Sequence, residues 1–73
     1  MMTVDIIASR DDVWLCAYSI DVDVMENPQW KEAVAQATFK LTEKVNGPEW
    51  SANIVQINEH ILRRTNEGKW LVQ

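Results

Sequence analysis

Seventy-three residues, 47% of them apolar, with a net charge of −4 and one cysteine, make a single small globular domain over residues 1–73. Disorder and a disulfide-stapled scaffold are both excluded. The start Met1-Met2-Thr3-Val4-Asp5 has neither the basic segment nor the apolar run of a secretion signal, and no stretch approaches the roughly 18 apolar residues of a membrane span. A soluble cytoplasmic protein with no membrane partner is expected.

Thr3–Ser9 alternates, with Val4, Ile6 and Ala8 on one side and Thr3, Asp5 and Ile7 on the other, the period of a half-buried strand. Ser9-Arg10-Asp11-Asp12 is turn-prone. Val13–Val22 reads as a second strand whose apolar face is Trp14, Cys16, Tyr18, Ile20 and Val22. The two make an antiparallel hairpin, too weak alone and in need of something packed upon it.

Asn27-Pro28 signals a helix start and Asn46-Gly47-Pro48 a stop, which places a first helix over 28–45. Its apolar stripe is Trp30, Ala33, Val34, Ala37, Leu41 and Val45. Trp50, Ile54, Ile57 and Ile61 also recur at spacings of three and four, so the preferred reading is a second helix over about 50–66 and a short strand at 69–72. The alternative is a hairpin of Ile61–Arg64 with Lys69–Val72 around Thr65-Asn66-Glu67-Gly68. The expected class is α+β: a small antiparallel sheet against two amphipathic helices, in the order β-β-α-α-β.

The residue types disfavour catalysis. Cys16 lies in an apolar run, where a buried inert thiol is the rule, and His60 falls off the second stripe toward solvent. Asp21, Asp23 and Glu26 offer oxygen ligands but lack the loop pattern of a calcium site, so neither a metal site nor any other cofactor is expected. There is no glycine-rich phosphate loop, and an enzyme is not expected. A DNA-binding helix pair is the runner-up reading, with Arg63 and Arg64 at the end of the second helix and Lys69 just beyond. A nucleic-acid partner is disfavoured because three bases on an acidic chain are few.

Charge is split along the chain. Residues 1–26 hold six acids against Arg10, a net of −5, whereas residues 27–73 hold five acids and six bases, a net of +1. Such a segment attracts a basic partner. Phe39 stands opposite the first helix's stripe, so either both faces of that helix are covered within the monomer or Phe39 meets another chain. Four tryptophans, Trp14, Trp30, Trp50 and Trp70, are core by default, and an exposed one would mark a contact. The expectation is a non-catalytic protein-binding module, an inhibitor or adaptor occupying the basic surface of a larger protein. Its contact residues would be Phe39, Asp11, Asp12, Asp21, Asp23 and Glu26. A structural homo-oligomer, with a dimer through the first helix, is the third reading.

Overall fold

In the computed structural model, which describes residues 1–73, Asp11 and Asp12 turn the chain between β1 (Met2–Arg10) and β2 (Val13–Val22). Both have positive φ, 48° and 68°, the backbone that a two-residue type I′ hairpin loop demands and that aspartate tolerates. The hairpin is therefore formed as the alternation implied, except that Trp14, expected on the core-facing side with Cys16 and Tyr18, is 65% exposed. Its register slips once: Ala8 faces Cys16 and Ser9 faces Trp14, leaving Leu15 as the extra residue of a bulge.

The helix α1 (Trp30–Asn46) begins two residues later than expected. Asn27 still organises the entry, since its side-chain oxygen accepts from the Gln29 N–H and its carbonyl from the Trp30 N–H. Gly47, at φ 90°, closes the helix by donating to the Glu43 carbonyl, and Pro48–Trp50 adds one 3-10 turn.

The second helix is not there. Its place is taken by β3 (Ile54–Ile57) and β4 (His60–Arg64), and β5 (Trp70–Val72) follows. Ile57 faces His60 across Asn58-Glu59, with Asn58 at φ 52°. Asn58 also exchanges hydrogen bonds with the Asp5 backbone, its N–H donating to the Asp5 carbonyl and its side-chain oxygen accepting the Asp5 N–H. Three isoleucines and a valine suit a pleated surface better than a helix, and pairing with β1 decides the matter. The alternative hairpin is the one formed, β4 with β5. The class remains α+β, with five antiparallel strands in the spatial order β2-β1-β3-β4-β5 and one helix on one face.

That helix is also turned relative to expectation. Its buried residues are Val34, Ala35, Thr38, Phe39 and Thr42, while Ala33, Ala37, Leu41 and Val45 are exposed. Phe39 packs inside the monomer at 7% exposure, which corrects its reading as a contact anchor. Threonine satisfies the buried face because each hydroxyl is bonded. Thr38 donates to the Val34 carbonyl and meets the Tyr18 hydroxyl; Thr42 donates to the Phe39 carbonyl and accepts the Ala52 N–H. Below lie Val4, Ile6, Ala8, Val55, Ile57, Leu62 and Trp70.

The opposite face of the sheet carries no helix. Asp21 accepts from the Thr3 hydroxyl and Asp5 from the Ser19 hydroxyl. Ile7, Ile61 and Leu71 are part-exposed there, interrupted by Gln56 and Arg63, as suits a one-sided antiparallel sheet. No helix is long and apolar enough to cross a membrane.

Candidate functional site

Strand β2 is the long edge of the sheet. An edge strand aims every second N–H and C=O outward, and proteins usually blunt such edges with lysine, proline or a bulge. Val13–Val22 contains no lysine, arginine or proline, and its bulge lies near the turn. From Cys16 to Val22 the edge is regular, with Asp21 its one charge.

Beside this edge the helix overhangs without covering. It runs antiparallel to β2, so Trp30 and Ala33 stand near Val22 and Ile20, while Leu41 and Val45 stand near Cys16 and Leu15. Between them a hollow of about 320 Å³ is walled by Tyr18, Ile20 and Val22 on the strand and by Trp30, Ala33 and Ala37 on the helix. Past the Tyr18–Thr38 hydroxyl contact, which bridges strand and helix, a separate smaller hollow lies between Leu15, Cys16, Leu41 and Val45. A third, lined by Trp14, Leu15 and Trp50, adjoins that one toward the turn. The three follow one another along β2 as an interrupted apolar trough. Trp14 is 65% exposed and Trp50 45%, Trp30 is half-buried, and Trp70 alone of the four tryptophans lies in the core.

The acidic residues do not gather in one place. Asp23 and Glu26 rim the mouth of the trough, and Asp21 lies on the same end of β2. Asp11 and Asp12 sit at the other end of the strand, about 30 Å away at some 3.3 Å per residue. The sequence pattern thus conceals two poles. Asp11 also has local work, exchanging hydrogen bonds with the Asn53 side chain. Asp23 accepts the Met25 N–H.

Cys16 is half-buried in the trough, and burial raises its thiol pKa, which keeps it protonated and a poor nucleophile. His60 stands on β4, three strands from β2, and lies 3.3 Å from the Glu59 carboxylate. The sulfur and the imidazole therefore make no catalytic pair. The helix pair required for DNA reading does not exist, and its bases part company: Arg63 points to the open face of the sheet, Arg64 to the helix side.

The trough residues Tyr18, Ile20, Trp30, Ala37 and Leu41 were visible in sequence only as core. Six apolar residues with no polar break on the first helix, beside Phe39 on its other side, were the signal that α1 has two apolar faces. No family model matches the chain, and no curated protein or solved structure matches it at a significant level.

Proposed function

We propose that the protein is a non-catalytic binding module whose contact surface is the β2 edge together with the trough beside it. What carries the reading is the unprotected seven-residue edge lying against an unpartnered apolar helix stripe. Added strands gain affinity from main-chain hydrogen bonds and specificity from adjacent side-chain pockets, and both parts stand together here. Asp23 and Glu26 at one mouth favour a partner whose docking segment is basic, as found in proteins that handle nucleic acid. Such a module acts by occupation, as inhibitors and adaptors do.

A second copy of the chain is the alternative occupant, favoured by one observation. Lys40 and Lys44 are exposed on the helix half opposite to Asp23 and Glu26, and a two-fold axis across β2 would set acid against base.

The test begins with cross-linked capture of the partner from the source cell, followed by measured affinities. Ile20→Lys and Leu41→Lys should each weaken binding about tenfold or more, as expected for loss of a buried anchor. Asp23→Asn with Glu26→Gln should slow association at low salt, whereas Asp11→Asn should not. Unchanged affinity in both lysine variants would remove β2 and its trough as the contact surface. Sedimentation across a concentration series identifies the self-associating case.

A further inference from the structure

At the turn end of β1, the residues that close β1 and β4 and the one that precedes β3 form a cross-strand row on the helix side. The Asn53 N–H donates to the Ser9 carbonyl, and the Arg64 N–H to the Asn53 carbonyl, so Arg10, Asn53 and Arg64 lie side by side. They border a polar hollow of about 240 Å³ completed by Phe39, Thr65 and Asn66.

Arg64 is held there without any acceptor. Its guanidinium carbon sits over the Phe39 ring, 4.0 Å from the centroid. On the Gly68 side there is so little room that a Cβ at that position would lie 3.2 Å from an Arg64 Nη atom. Its Nε is buried with no hydrogen-bond partner, and none of the ion pairs of the chain involves it. Arg64 as a whole is half-buried, so its Nη atoms reach the hollow while the Nε behind them is shut off from water and from any acceptor. A guanidinium packed against an aromatic ring with no carboxylate beside it keeps its outward donors free for an anion.

The rest of the hollow offers donors too. Arg10 gives one Nη to the Ser51 carbonyl and lies 3.9 Å, through Nε, from Asp11, which leaves its second Nη uncommitted. The Thr65 oxygen accepts from the Glu67 and Lys69 N–H groups, so its own proton is available. No carboxylate lines the hollow.

We infer that this hollow is an oxyanion-binding site, taking a phosphate or carboxylate group between the Arg10 and Arg64 forks with the Thr65 hydroxyl as a further donor. Planar guanidinium forks match both groups in geometry and give charge-assisted bonds about twice as strong as neutral ones. The hollow shares no lining residue with the trough along β2, although Arg10 adjoins the β1–β2 turn.

The full chain is titrated with inorganic phosphate and separately with acetate, each against chloride at equal ionic strength, by amide chemical shifts and thermal midpoint. Saturable shifts confined to residues 53 and 64–66, with a rising midpoint, are the expected result. The anion that saturates at lower concentration names the group. Arg64→Met removes the guanidinium over Phe39 while leaving an unbranched apolar side chain there, and should abolish saturation; Arg10→Gln should weaken it about tenfold. If Arg64→Met unfolds the domain, Arg64→Lys, which keeps charge and stem but loses the fork, should also weaken it about tenfold. Shifts that never saturate with either anion, that spread over Lys31, Lys40 and Lys44, or that persist in these variants would overturn the assignment.

Discussion

Phe39 and Leu41 lie two residues apart on the same helix, and truncating each to alanine decides which face of α1 is inside. The Phe39 side chain is buried, meets the Trp70 ring edge-on at 6.4 Å between centroids, and carries the Arg64 guanidinium on its face. Its transfer from water contributes about 1.5–3 kcal/mol. The aromatic pair adds about 1 kcal/mol, and the unfilled space left behind brings Phe39→Ala to about 3–5 kcal/mol. Leu41 is 45% exposed, so Leu41→Ala removes a side chain already half in water and should cost about 1 kcal/mol or less. Alanine is the better helix former in both cases, so propensity does not reverse the order. A domain of this size holds roughly 5 kcal/mol or less, so Phe39→Ala should be mostly unfolded at room temperature while Leu41→Ala folds normally. Urea denaturation at low protein concentration, followed by tryptophan fluorescence, measures both. Equal losses, or a larger loss at Leu41, would refute the orientation of the helix and the trough with it.

The turn offers a stabilising change: Asp11→Asn with Asp12→Gly installs the preferred type I′ pair and should raise the denaturation midpoint by about 0.5–1 kcal/mol, less whatever the Asn53 contact contributes. A fall would show that Asp12 serves more than the turn. Thr42→Val keeps the volume but deprives the buried Ala52 N–H of its acceptor, so it should cost about 1–3 kcal/mol by the same urea assay. A neutral outcome would mean that water reaches Ala52. Cys16 should react with iodoacetamide at pH 8 more slowly in the native chain than in urea, because its raised pKa leaves less thiolate. The sign for stability is set by the same shift. The unfolded thiol ionises first, so the contribution is whole below its ordinary pKa and is lost as pH rises through the higher folded value. A native thiol that reacts faster than the unfolded one would contradict the burial.

The first hairpin was legible because nothing competes with its pattern: Val4, Ile6 and Ala8 alternate cleanly, and Asp11-Asp12 can adopt the backbone the turn requires. The ends of α1 were legible to within two residues for a similar reason, since Asn27 and Gly47 act locally. Local pattern failed where two periods coincide. Ile54, Ile57 and Ile61 satisfy a helical spacing, yet in the strands they split between the two faces, and the buried set is Val55, Ile57 and Leu62. The inverted helix face failed for another reason. Counting apolar side chains favoured the Leu41 stripe, while the protein buries Thr38 and Thr42 with their hydroxyls bonded, and hydropathy does not register such bonds. Among the expected contact residues, Asp23 and Glu26 lie together at the mouth of the trough, and Asp21 lies at the same end of β2 but on the helix-free face. Asp11 and Asp12 fall at the far end of the strand, and Phe39 falls in the core.

The pairing of β1 with β3 also governs how the chain reaches this state. Every other ladder joins neighbours in sequence, but this one sets Ile6 against Ile57 and Ser9 against Ile54, with β2 and all of α1 looped out between. Hairpins close in microseconds, whereas that ladder must wait for a long loop to close before any contact rewards it. The expected slow step is the joining of the β1–β2 hairpin to the β3–β4–β5 meander, with Ala8 and Val55, which face each other at that seam, in contact early. Truncating Val55 should slow refolding, while truncating Trp70 in the last strand should chiefly hasten unfolding. Until the seam closes, β1 and β3 each present a bare edge, so the nascent chain is most open to misassembly at its centre, before the β2 edge is its chief exposed one.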